Sequence, residues 1–345
     1  VKHNACRNGS FLKGGFMKIL IIGNEARYRK YMPDTDYIQT FDIVYQPRDA
    51  SLEELLSACG DADAIATDPT VKLPSGLIEN MPRLKIIQSE GVGYNGIDIE
   101  TARERGIYVC NQKGANAAAV AEQTILLMLA LLRRFIVGDR TVRNGGQLAM
   151  KERLMIEGIR EMADCSVGYI GFGDIAKATA ERLIPFGCTQ FYHTPSRKEA
   201  AIEGQYGITY LSQDELAATC DFVVILCPLN DSTHGMVDAA FLSKMRPDAF
   251  LINTARGEIV NHRALRDAIL AETIAGAGLD TIAPIPVSKD NILFDLPPAY
   301  ADRLIVSPHI GGVTMRFFKD AHQRNWQNIY RTLHGERPEH IVNQL

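Results

Sequence analysis

Gly171, Gly173 and Ala176 are spaced as GxGxxA inside the string VGYIGFGDIAKATAERL. The string directly follows a strand-like apolar run and opens a helical pattern, and that context gives the spacing a chemical meaning. Gly171 permits a tight turn, Gly173 lets the backbone approach a pyrophosphate, and Ala176 keeps a helix close to a sheet. The start of that helix offers free N–H groups to phosphate. Dinucleotide binding is the chemistry this arrangement suits. About twenty residues further on, an NAD-binding protein carries an acid that bonds the ribose 2′-hydroxyl. Here the strand QFYH runs instead into Thr194, and Ser196, Arg197 and Lys198 follow. Hydroxyls and cations suit a 2′-phosphate, so the expected cofactor is NADP or NAD.

Alternating strand and helix signals surround this motif. Short apolar runs at Lys18–Ile22, Ile43–Tyr45, Ala64–Ala66, Leu84–Ile87 and Tyr108–Cys110 are separated by helix-compatible stretches such as Ser51–Ala58 and Ile99–Arg105. A second series runs through Ser166–Ile170, Gln190–Tyr192, Phe222–Leu226, Phe250–Ile252, Ala275–Leu279 and Leu304–Val306. The pattern predicts an α/β chain with two doubly wound parallel sheets. A long helix is expected from Ala117 to about Arg134, with Gly114 and Asn116 as hinge or cap, and a closing helix over Phe317–Leu333 that stops at His334-Gly335.

The length of 345 residues favours two domains, because single cores stop growing near ~250–300 residues. With 46% hydrophobic and 23% charged residues, the chain is of ordinary globular composition. Its net charge of -4 is spread along the chain with no long basic stretch, which argues against nucleic acid as a partner. The seven cysteines, Cys6, Cys59, Cys110, Cys165, Cys188, Cys220 and Cys227, are scattered and never spaced as CxxC. Neither a disulfide framework nor a zinc site is expected, and a reducing cytoplasm fits best. The apolar run Ala117–Leu132 holds Glu122, Gln123 and Thr124, so it reads as a buried helix and not a membrane span. Residues 1–16 lack the continuous apolar core of a signal peptide and are read as an extension.

Three further strings, SEGVGYNGID, INTARGEIVNHRAL and VSPHIGG, occur in an order and context that resemble the D-isomer-specific 2-hydroxyacid dehydrogenases. With GYIGFGDIAKA, Asp221–Met245 and GAGLD, the likeness extends over nearly everything from Met17 onward. The resemblance implies a flavodoxin-like substrate domain at 17–113 plus 312–345, a Rossmann cofactor domain at 114–311, and a cleft between them. It also implies hydride transfer between a nicotinamide and a small 2-oxoacid or 2-hydroxyacid. Arg256, in TARG, matches the residue that grips the carboxylate and polarises the 2-oxo group with paired donors. His309, in SPHIGG, matches the acid–base, a role suited to a group whose ordinary pKa is near ~6.5. Gly91, Val92 and Gly93 match the loop whose N–H groups hold the substrate carboxylate. Asp280 resembles an acid that contacts the nicotinamide amide, and Asp174, Ile175, Cys227, Thr233 and Thr254 match cofactor-lining positions. Cys227, before Pro228, reads as pocket wall and not as a nucleophile, since nothing nearby in sequence would activate it.

One position departs from the family. Its histidine leans on a glutamate just before a proline, beyond the GAGLD aspartate, whereas this chain reads GLDTIAPIP with Ile285 at the matching place. A neighbouring carboxylate favours imidazolium and fixes the tautomer, so its replacement implies a weakened catalyst unless Asp290 or Asp295 substitutes. A dinucleotide-responsive regulatory protein is the alternative from another class, and a formate dehydrogenase-like enzyme a lesser one. A sensor has no chemical need for both Arg256 and His309. The resemblance further implies a homodimer packed through Leu126–Gly146, which in isolation reads as an apolar helix followed by a polar loop.

Overall fold

The computed structural model describes residues 17–345, and the extension expected at residues 1–16 lies outside the described residues. The chain divides into two compact units. One runs to Lys113 and takes back Phe318–Leu345, and the other is Gly114–Phe317.

The first unit is built on β1 (Met17–Ile22), β2 (Phe41–Gln46), β3 (Ala64–Thr67), β4 (Ile86–Ser89) and β5 (Tyr108–Cys110), all parallel, in the order β2-β1-β3-β4-β5. This is the flavodoxin-like order. Ile19, Leu20, Ile21 and Ile22 of β1 are buried without alternation, as expected of a central strand covered on both faces. Leu20, Ile65 and Ile87 pack with Leu55 and Leu77 on one side. Ile19, Ile21 and Ile86 pack with Trp326, Ile329 and Leu333 on the other. The last three come from the helix Met315–Leu333, which the left-handed Gly335 follows at φ +82°.

The second unit carries β6 (Ser166–Ile170), β7 (Thr189–His193), β8 (Ile208–Tyr210), β9 (Phe222–Ile225), β10 (Phe250–Asn253), β11 (Gly276–Leu279) and β12 (Leu304–Val306). Their order, β12-β11-β10-β9-β6-β7-β8, is a Rossmann sheet extended by one strand, with chain reversal between β6 and β9. The helix Ala117–Leu132 lays Leu127, Met128 and Leu131 onto Val167, Tyr169, Val224 and Ile252.

Three local expectations change, and one strand, β8, was not among those expected. Strand β4 begins at Ile86 and not at Leu84, because Leu84 sits in a turn bonded to Met81; the buried amide of Gln88 continues the strand by finding acceptors in Ser89 and Cys110. The three-residue edge strand β8 is too short to carry a pattern. Asn116 makes no side-chain cap on the helix that follows it. The polar loop expected after that helix is instead two helices, Phe135–Arg143 and Gln147–Glu157. The first buries no residue and the second only Met150, so neither has a core-facing stripe for the sequence to display. Among the described residues no helix is long and apolar enough to cross a membrane, and no cluster of side chains could hold a metal.

Candidate active site

Strand β6 delivers the chain into Gly171, which has φ +92°. A Cβ there would lie 2.7 Å from the Cys227 backbone nitrogen, so both conformation and space demand glycine. The Gly171 N–H donates to the His193 carbonyl at 2.9 Å, tying the turn to the end of β7. The helix Asp174–Leu183 starts at Gly173 with no side-chain cap, and its first internal bond is Lys177 N–H to Gly173. The N–H groups of Asp174, Ile175 and Ala176 therefore have no acceptor among the described residues. Open space beside Gly173 and three uncapped donors at the positive end of a helix fit a pyrophosphate. Ala176 is fully buried against the sheet.

Beyond β7 the Thr194 hydroxyl donates to the Ser196 carbonyl at 2.6 Å and closes the loop. Ser196 and Arg197 are exposed. The Arg197 guanidinium is not free, because it forks onto Glu203, a partner the sequence reading missed: residue spacing alone does not reveal that a loop folds back on the helix after it. Of the remaining cofactor-lining candidates, Thr233 is held by its own loop and Thr254 by a helix distant in sequence. The Thr233 hydroxyl donates to the Pro228 carbonyl at 2.7 Å and accepts from the Asn230 N–H at 2.9 Å. Thr254 is buried and shares a 2.9 Å hydrogen bond with Thr124. Burial pushes the Cys227 thiol up to about 11, which keeps it protonated and unreactive near neutrality.

Arg256 follows β10. Buried Asn253 clamps the turn from inside, its Nδ2 donating to the Arg256 carbonyl at 2.8 Å and its Oδ1 accepting from the Ala255 N–H at 3.0 Å. The next residue, Gly257, lies so close to another segment that a Cβ would stand 2.3 Å from the Ala283 nitrogen. The Arg256 turn is thus wedged against the segment that leads to Ile285. The half-buried guanidinium donates through Nη1 to the Ala255 carbonyl at 2.7 Å and has no carboxylate partner among the described residues. Burial lowers its pKa from the ordinary arginine value, with Glu258 acting weakly the other way. A desolvated cation with no carboxylate bonded to it among the described residues is poised to accept an anion.

His309 is one of few non-glycine residues with positive φ, at +58°. That conformation costs on the order of 1–3 kcal/mol unless the surroundings enforce it, and here Asp280 enforces it. At the end of β11, buried Asp280 accepts from the Ser307 hydroxyl at 2.5 Å and the Ile310 N–H at 3.0 Å through one oxygen, and from the Gly311 N–H at 2.8 Å through the other. Gln123 donates to the same Ser307 hydroxyl at 2.9 Å. Residues on both sides of His309 are therefore pinned to one carboxylate, a positioning role that neither GAGLD nor SPHIGG discloses separately. Ile285 is 53% exposed, an aliphatic side chain left in solvent. Asp290 is exposed, and Asp295 is exposed and paired with Arg266 at 3.3 Å.

In the first unit, the loop after β4 turns its carbonyls inward. Gly91 O accepts from the Gln112 N–H at 2.9 Å, Val92 O from Asn111 Nδ2 at 2.8 Å, and Gly93 O from the Ser89 hydroxyl at 2.6 Å. The Val92 and Gly93 N–H groups have no acceptor among the described residues, and Gly91 N–H reaches only the Ser89 oxygen at 3.4 Å. Successive unpaired N–H groups form an anion-binding nest. A Cβ on Gly91 would come within 2.6 Å of Pro69, so the loop can approach its neighbour only as glycine. Behind it, the buried Glu90 carboxylate accepts a forked pair of bonds from Arg27, whose Nη2 also donates to Asp68 at 2.8 Å.

A Rossmann sheet with an uncapped glycine turn at its reversal point, in a chain that also carries a flavodoxin-like sheet, defines a dinucleotide-dependent α/β enzyme. Residues 125–311 match the family model of the D-isomer specific 2-hydroxyacid dehydrogenase NAD binding domain. The chain is 33% identical over 307 residues to the glyoxylate reductase of Pyrococcus furiosus, covering 88% of this chain and 89% of that relative. It is 36% identical over 293 residues to the glyoxylate reductase of Thermococcus litoralis, covering 84% and 86%. Among solved structures, the NADPH-dependent glyoxylate/hydroxypyruvate reductase of Sinorhizobium meliloti, in complex with NADP and malonate, superposes with a TM-score of 0.79 at 26% identity, over 95% of this chain and 97% of that one. The chain belongs to the D-isomer specific 2-hydroxyacid dehydrogenase family and is an NAD(P)-dependent oxidoreductase.

Proposed function

We propose that the chain reduces a small 2-oxoacid, glyoxylate or a close homologue, to the D-2-hydroxyacid. The observation that carries this reading is Arg256, a desolvated guanidinium with an available donor edge and no internal carboxylate partner among the described residues. In this assignment Arg256 binds the substrate carboxylate and polarises the 2-oxo group, and His309 supplies the proton that neutralises the forming alkoxide. Gly91, Val92 and Gly93, through their N–H groups, are the substrate-binding residues of the first unit in this assignment. A bound nicotinamide supplies the hydride. Gly171, Gly173 and the N–H groups of Asp174 and Ile175 hold its pyrophosphate, Thr194, Ser196 and Arg197 lie at the adenosine ribose, and Cys227, Thr233 and Thr254 line the path between. Asp280 acts by holding the His309 turn. Residues 17–113 with 312–345 form the substrate domain in this assignment and 114–311 the cofactor domain, while the compact units divide at Lys113 and at Phe318.

Ile285 bears on rate, not on reaction type. A carboxylate at that position would help to orient the His309 ring, and in this assignment reduction is slower than in a relative that keeps the acid. Exposed Phe135, Leu148, Met155 and Ile156, the last two 74% and 88% accessible, support a homodimer joined through the helices Phe135–Arg143 and Gln147–Glu157. The functional test is a steady-state survey of glyoxylate, hydroxypyruvate, pyruvate and formate with each nicotinamide cofactor. Turnover of a 2-oxoacid supports the assignment. Cofactor binding without turnover of any acid favours a regulatory role and overturns it.

A further inference from the structure

The loop after β7 contains a charge arrangement that neither the motif nor the resemblance discloses. Arg197 is the cation best placed in sequence to meet a 2′-phosphate, yet it donates through Nε to Glu203 Oε1 and through Nη2 to Glu203 Oε2, each at 2.9 Å. Arg197 itself is 64% accessible, whereas the Glu203 side chain is only 13% accessible. The carboxylate is the more covered member, fixed by its partners, and the guanidinium is the more exposed one. Most exposed ion pairs contribute little, but a forked pair on a fixed carboxylate has the geometry that does.

A hydroxyl inside the sheet fixes that carboxylate. Buried Tyr192, on β7, donates its hydroxyl proton to Glu203 Oε1 at 2.8 Å, and the same oxygen of Tyr192 accepts from the Lys198 N–H at 2.7 Å. The Tyr192 ring rests on Phe172, the residue between the two glycines of the fingerprint, with ring centroids 5.3 Å apart. Turn, strand end and loop therefore form one connected piece. Arg197 and Tyr192 hold the Glu203 carboxyl below its ordinary range, and Glu203 raises Arg197. Lys198 makes no ion pair among the described residues and is the cation that remains.

We infer that Glu203 is a specificity-determining residue: it neutralises Arg197 and so biases the chain toward the dinucleotide with a free 2′-hydroxyl. This rests on the assignment of the Gly171 turn and the Thr194–Lys198 loop as the dinucleotide site. A 2′-phosphate brought to this loop meets an arginine whose charge is cancelled about one ion-pair length away, together with the uncancelled Lys198. A 2′-hydroxyl has no charge to satisfy and is indifferent to the pair. The phosphorylated cofactor is thus accepted through Lys198 but gains little from Arg197.

Calorimetric titration of the full chain with adenosine 2′,5′-bisphosphate and with adenosine 5′-monophosphate tests this without relying on turnover. Glu203→Gln keeps the shape and an acceptor oxygen for Tyr192 and Arg197 while deleting the charge. It is expected to tighten the bisphosphate about tenfold, to leave the monophosphate unchanged, and to lose its gain in high salt or when combined with Arg197→Gln. Unchanged or weaker bisphosphate binding in Glu203→Gln overturns the inference; weaker binding would mean that Glu203 presents Arg197 to the phosphate. If neither probe binds the unmodified chain, the dinucleotide assignment fails with it, a result told apart from the first by the silent monophosphate.

Discussion

Glu90 and His322 stand 232 positions apart in the chain and meet inside the first unit, His322 Nε2 lying 2.7 Å from Glu90 Oε1 with both side chains buried. The contact joins the residue just ahead of the Gly91–Gly93 nest to the helix Met315–Leu333, and the forked bonds from half-buried Arg27, which also reaches Asp68, extend the pair into a network. Breaking such a network by removing one member is more damaging than never having built it, because the partners remain buried and uncompensated. Glu90→Leu is expected to destabilise the first unit by about 3 kcal/mol, the low end for a broken buried pair, since Asp68 still holds Arg27. Urea unfolding followed by hydrogen exchange checks both the magnitude and its location. Stability equal to the parent chain would mean that the network contributes nothing.

Arg256 makes the opposite prediction for stability. Its guanidinium is desolvated, bonded among the described residues only to its own neighbour's carbonyl, and lowered in pKa by burial, so folding gains little from it. Arg256→Met is expected to leave thermal stability unchanged or slightly higher while reducing kcat/KM for a 2-oxoacid by about two to three orders of magnitude, as loss of a charge-stabilising donor does. Parallel melting curves and steady-state kinetics decide it. A large fall in melting temperature would recast Arg256 as a structural residue.

How much of this was legible beforehand follows from how local each feature is. The Gly171 turn was readable because its glycines, its strand and its helix are contiguous. So were the apolar cores of β1 and β9, whose continuous burial imposes continuous hydrophobicity. The holds on His309 and Arg197 were not readable. Asp280 reaches Ile310 and Gly311 only because β11 and β12 lie side by side, and Glu203 reaches Arg197 only because its helix returns across the loop. Those pairings belong to the folded sheet, and no spacing along the chain encodes them. The helices Phe135–Arg143 and Gln147–Glu157 escaped for the converse reason, since their apolar residues point outward and leave no inward stripe.

Asp280 can be tested through the turn it holds. Asparagine fits the same space but brings a donor amide among donors, the Ser307 hydroxyl and the Ile310 and Gly311 N–H groups. Asp280→Asn should therefore cost about 1–3 kcal/mol of stability and release His309 from its left-handed conformation. Because the histidine would still be present, kcat is expected to fall while KM stays within about twofold, the signature of a lost transition-state contribution. A KM increase with unchanged kcat would contradict the positioning role.

Ile285 offers the sharpest comparison, because here a missing group can be supplied. The segment that carries it is wedged against the Arg256 turn through Gly257 and Ala283, so the backbone at this point is fixed. The isoleucine side chain is exposed, so replacing it with a polar chain of similar length disturbs no packing. Ile285→Glu is thus expected to be neutral in stability. If the position corresponds to the family's glutamate, the new carboxylate stabilises the imidazolium form of His309 and raises its pKa. Reduction consumes that proton, so the falling limb of the rate against pH should move to higher pH and the rate at neutrality should rise, by anything up to the ~10,000-fold that an orienting acid contributes to a serine protease histidine. The reverse reaction, which needs neutral imidazole, should shift in the same direction along the pH axis and begin only at higher pH. A reductase profile identical to that of the parent chain would show that His309 does not depend on this position, and the slow-catalyst explanation of the isoleucine would be withdrawn.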